Sequence, residues 1–204
     1  MATTGLFVEI IVIGMLAEVW LATAFLALLL KVVRKYQIQS LMCFLVGIKD
    51  FAPVVAVVLL AFTYAIGWIV NFATAELFGY LFQDKWRLPL FKGKDGKDHY
   101  EEDRALVFQH GSSEALQDLF LDRHVVRIAR SNVLNFFLLA LALRLHASRL
   151  QSSVLIVAIS ISFLLAGLSF WQWRARYKGL YGRLADIAAV IRKDKVSGGS
   201  NFNA

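Results

Sequence analysis

One cysteine, Cys43, is all that 204 residues contain, so no intramolecular disulfide can form and no thiol pair can hold a metal. Charge is also scarce: Asp, Glu, Lys and Arg make up 18%, against about 25% in soluble domains. The motifs of common enzyme chemistries are missing. There is no GxxxxGK[ST] for a nucleotide, no GxSxG for hydrolysis and no HExxH for zinc, and the four histidines at 99, 110, 124 and 146 share no ligand spacing. The halves show no inverted repeat, which argues against a transporter built from repeats. The residues therefore offer no catalytic set, no metal site and no cofactor site, and the chain is not read as an enzyme.

What the sequence does have is long apolar blocks. Hydrophobic residues reach 58%, with a mean hydropathy of +0.60. About 20 apolar residues suffice to cross a bilayer core, and four segments qualify: 5–30, 51–82, a shorter third span around 133–143 extended over 131–148, and 152–173. The expected fold class is an all-α integral membrane protein of four transmembrane helices, with a cytoplasmic helical extension of the third span and an amphipathic C-terminal helix. The first segment is too long for a signal-peptide core and lacks a basic start and a cleavage site, so it counts as structure. The run at 41–48 is too short to cross and reads as re-entrant or interfacial. Trp171 and Trp173 fit an interfacial belt.

The organisation that follows is two helices in 1–82 with a basic connection at 31–50, a cytoplasmic connection and helix start at 83–130, two helices in 131–173, an amphipathic helix at 174–195 and a disordered tail at 196–204. Within 83–130, the segment 92–103 reads as a charged loop and ALVFQH (105–110) as a short strand, with WRLPLF (86–91) its one available partner. Ser112 and Gly111 open a helix at Ser113 or Glu114 that nothing interrupts before Ala147. Gly179 and Gly182 weaken the start of the C-terminal helix. Small residues at four-residue spacing (Ala158, Ser162, Ala166; Ala61, Ala65, with Gly67 nearby) mark packing seams.

Lys and Arg set the orientation. With both termini cytoplasmic, sixteen lie inside and six outside, which the positive-inside rule favours. The basic excess, +7 overall, is explained first by these flanks. The expected location is the bacterial inner membrane.

Candidate functional residues follow from charge in apolar surroundings. Glu18 falls near the middle of the first span, where a charge costs roughly 2.5–3.5 kcal/mol, so it should face protein or water. It is either a pore-lining carboxylate or a hydrogen-bonded packing residue. Glu9 is a second candidate for a pore-lining carboxylate, although it sits nearer the membrane edge, within reach of water. Asn132 and Asn135, on one face with Ser131, are interhelical hydrogen-bonding residues or line a vestibule. Arg123, Arg127 and Arg130 share a helix face with His124 beside them, suited to phosphates or to lipid headgroups. Arg174, Arg176, Lys178 and Arg183 add to a composite basic surface.

In layout (four spans, a basic cytoplasmic face and no enzyme domain) the chain resembles the small multi-span membrane effectors of bacterial anti-phage defence systems, such as the Hailong-type channel effector, in which the product of a nucleotidyltransferase governs an ion channel. The resemblance implies an oligomeric channel or pore controlled by a nucleotide or oligonucleotide; read from the residues themselves, a ring of Glu18 carboxylates would favour cations and the basic face would bind the anionic ligand. The implied partners are further copies of the chain in a homo-oligomer, with a tetramer one such form, membrane lipids and a cytoplasmic partner enzyme. The alternative is a non-conducting anchor or accessory subunit that recruits a cytoplasmic partner.

Overall fold

The computed structural model describes residues 2–36, 52–93, 97–147 and 153–199. The expected apolar run at 41–48 lies outside them. The described residues are almost entirely helical: α1 (Ala2–Tyr36), α2 (Ala52–Phe78), a π-helical turn (Gly79–Gln83), α3 (Asp84–Phe91), α4 (Tyr100–His110), α5 (Ser113–Ala147) and α6 (Ser153–Gly199). Four of these helical stretches are long and apolar enough to cross a membrane: Thr4–Leu28, Pro53–Phe82, Ser113–Leu145 and Ser153–Lys195.

The strand expected at 105–110 is instead the second half of α4, and WRLPLF belongs to α3. Glu101, Glu102 and Asp103 occupy the first turn of α4, where carboxylates favour the exposed N–H groups. The expected charged loop is accordingly short. Gly93 N–H donates to the Lys97 carbonyl at 2.9 Å, an isolated bridge joins Lys92 and Asp98, and helix resumes at Tyr100. Helix α5 begins where its cap predicts, with Ser112 Oγ accepting from Ala115 N–H at 3.2 Å, and runs without a break to Ala147.

Helix α6 differs from expectation. The fourth span and the C-terminal helix are one helix of 47 residues, which also takes in 196–199 of the expected disordered tail; 200–204 lie outside the described residues. Two glycines cost roughly 1 kcal/mol each in a helix interior. Against that, Trp173, Tyr177, Leu180, Leu184 and Ala188 form a buried stripe at helical spacing, and burying such side chains contributes about 1.5–3 kcal/mol apiece for the large ones.

The chain divides into two units, 1–74 with 128–170, and 75–127 with 171–204. In the first unit α1 and α2 run antiparallel in close contact. A Cβ on Gly14 would stand 1.9 Å from the Thr63 carbonyl oxygen, and one on Gly67 2.0 Å from that of Ile10. Ile13, Ala17 and Val70 form the core of this crossing, with Trp20, Ile66 and Leu134 against it. Gly67 thus belongs to a seam, as do the buried Ser162 and Ala166, whereas Ala61 and Ala65 are exposed. The unit buries polar side chains beside this apolar core and presents large apolar ones outward. Glu9, Thr63, Thr74, Arg130, Ser131 and Asn135 are buried while Phe25, Val57, Phe62, Trp68, Val154 and Leu164 are exposed. That distribution suits a lipid solvent.

The second unit is held by aromatic rings. Phe78, Phe82 and Trp86 meet Trp173, and Trp86 also meets Tyr177, which in turn meets Tyr181; centroids are 4.8 Å apart for Phe78–Trp173 and 5.0 Å for Trp86–Trp173. Phe91 and Tyr100 extend the array to Tyr181. Trp173 is therefore a core residue, 0% exposed, and not part of a belt; Trp171, 69% exposed, is free to serve there. The reason is spacing: 78, 82, 86 and 173, 177, 181 both advance by four and so present matched stripes.

Candidate functional site

The carboxylate of Glu18 meets Thr63, whose Oγ1 lies 2.5 Å from Glu18 Oε1 and 2.8 Å from the Leu59 carbonyl oxygen. A hydroxyl carries one proton, so it can donate to only one of these two oxygens at a time. Glu18 remains half-buried. It lines a groove of about 470 Å³ together with Leu21, Ala22, Phe25, Leu59 and Phe62. A carboxylate thus opens into an apolar groove near the middle of a candidate span.

The other three residues proposed to line a pore differ from Glu18. Glu9 is 2% exposed and is not at a water-accessible edge. Asn135, 1% exposed, donates through Nδ2 to the Ile13 carbonyl at 3.1 Å and accepts from Trp20 Nε1 at 3.2 Å. It locks α5 to α1 and has no surface left to offer a pore. Asn132 is half-buried, and its Oδ1 has no hydrogen-bond partner among the described residues. Ser131 is fully buried beside Thr74, 3.3 Å between hydroxyls.

The basic residues separate into groups as well. Arg130 is buried in the first unit, where its Nη2 donates to Asn71 Oδ1 at 3.0 Å and also approaches the Asn71 carbonyl at 3.4 Å. It therefore does not stand on an open stripe. In the second unit Asp122, 8% exposed, receives Arg183 at 2.9 Å and Arg176 at 3.7 Å. Arg174 lies over the Trp86 ring at 5.6 Å. Two arginines of the expected composite surface are thus held by an internal carboxylate, and a third by an aromatic face. Arg123, His124 and Arg127 are half-buried and Lys178 is exposed.

Around Tyr100 the charges converge. Arg87 lies over its ring at 4.8 Å and pairs with Asp98 at 3.0 Å. Burial and the neighbouring Tyr181 push the Tyr100 hydroxyl up to about 12, while Arg104 and Arg123 pull it the other way. The pairs Arg192–Asp103 and Lys195–His110 tie the end of α6 to α4. Nothing in linear spacing announces them, since their members are 89 and 85 residues apart. Among the described residues no group of three His, Cys, Asp or Glu side chains could hold a metal ion.

Comparison with protein-family models, with curated proteins and with solved structures returned no match.

Proposed function

We propose that this chain is an integral membrane protein whose copies assemble around an ion-conducting path lined by Glu18, with control exerted by an anionic ligand on its basic cytoplasmic residues. One observation carries the proposal: Glu18 is half-buried in an open apolar groove at mid-span. A carboxylate directed at lipid there is costly, so another copy or water must complete its surroundings. A ring of such carboxylates favours cations. Symmetric copies supply that ring without further sequence. The ligand, of nucleotide or oligonucleotide type, would be met by Arg123, Arg127 and Lys178. The layout fits an anti-phage effector of the bacterial inner membrane.

The Thr63 contact supports a second reading, a non-conducting anchor or accessory subunit, since it gives Glu18 a hydrogen bond inside its own chain. Reconstitution separates the two. We expect a homo-oligomer in detergent and cation flux in proteoliposomes that Glu18→Gln alters without changing the oligomer. A monomer, or flux indifferent to Glu18→Gln, would favour the anchor.

A further inference from the structure

A second groove of the first unit, of about 620 Å³, lies between α1 and α5 and is lined by Trp20, Ala24, Leu138, Leu141, Leu145 and Arg144. Trp20 is two residues from Glu18, about 200° around the helix, so this groove is on a different side of α1. Its chemistry is lopsided. The indole N–H of Trp20 is already given to Asn135, leaving a ring face, and the other lining residues except Arg144 are aliphatic. Arg144 is exposed and has no hydrogen bond or ion pair among the described residues. It also stands one residue before the end of the candidate span at Leu145.

A guanidinium with no partner among the described residues, at the end of an apolar helix, calls for an anion, and its planar fork matches phosphate oxygens. A ligand rich in polar atoms would leave them unsatisfied against the groove's aliphatic walls. The fitting ligand is an amphiphile with one anionic group and a long apolar body. We infer that this groove is a phospholipid site, with an acyl chain lying between Trp20, Leu138 and Leu141 and the phosphate held by Arg144. Such a lipid would brace α1 against α5 beside the Asn135 lock. The inference is independent of whether the protein conducts ions.

The test is native mass spectrometry of the full-length protein in detergent, titrated with phosphatidylglycerol, with diacylglycerol and inorganic phosphate as comparison probes. Phosphatidylglycerol should be retained, diacylglycerol should not, and inorganic phosphate should fail to displace the lipid. Arg144→Gln should weaken retention about tenfold, the order expected for a lost charge-assisted hydrogen bond, and Arg144→Lys should restore part of it. Leu141→Trp, which fills the groove and keeps the charge, should also release the lipid; Ala24→Leu on the opposite wall does the same if that variant fails to fold. Retention unchanged by Arg144→Gln, or by the groove-filling variant, overturns the site. Equal retention of diacylglycerol overturns the role of the phosphate, and displacement by inorganic phosphate that of the acyl chain.

Discussion

Thr63 connects Glu18 to the backbone of α2, so its hydroxyl governs how that carboxylate is held. Thr63→Val keeps the shape and removes the donor. It should destabilise the protein by about 1–3 kcal/mol, the cost of leaving a polar group unsatisfied, read as a lower unfolding midpoint in detergent. Tyr100 makes a prediction in alkali. Its hydroxyl is raised from an ordinary 10.0 to about 12, so the fold favours the neutral phenol. The corresponding stability is fully present below pH 10 and is lost as pH rises toward 12. Tyr100→Phe should therefore flatten part of the fall in stability over that window, measured by unfolding at a series of pH values. Residues of this kind were unevenly legible in the sequence. Glu18 stood out because depth in an apolar run is a linear property. Its partner Thr63, 45 residues away, did not. The burial of Glu9, 2% exposed, was not legible, because position along a span says nothing of which face is covered.

Glycine separates the helices into those that need it and those that tolerate it. Gly14 and Gly67 sit where a Cβ would collide with backbone oxygen, which cannot move without parting α1 from α2. Either one changed to Ala should destabilise by at least the roughly 1–3 kcal/mol typical of overpacking. Gly179 and Gly182 face open space; Ala at either should stabilise α6 by about 0.5–1 kcal/mol. Opposite shifts in thermal unfolding midpoint for the two pairs are the check. Helix α5 was legible to within a residue because a cap opens it and no breaker follows. The unity of α6 was hidden by those same two glycines, whose local cost is outweighed by a buried stripe that only tertiary packing creates. ALVFQH misled because six residues that are apolar at one end fit a strand and a helix turn equally well.

At the scale of the whole chain, the orientation is a proposal that rests on the count of Lys and Arg. The contacts set α1 antiparallel to α2, as consecutive crossings require, whichever side the termini occupy. With Cys43 replaced by Ser, Lys178→Cys should resist a membrane-impermeant thiol reagent in intact cells and react after lysis; labelling in intact cells would reverse the orientation. The polar side chains buried in the first unit, beneath large apolar ones turned outward, were not readable from the spans, because composition locates a helix in lipid but not the faces it shares.

The aromatic array of the second unit also has an optical consequence. Trp86 and Trp173 lie with ring centroids 5.0 Å apart at 44°, close enough and oblique enough for their transitions to couple. Light absorption by these two indoles therefore carries a chiral signature that exists only while α3 and α6 hold their register. The near-ultraviolet dichroism of the native protein should weaken when either indole is replaced by Phe, which makes this packing its own spectroscopic gauge in any detergent or lipid.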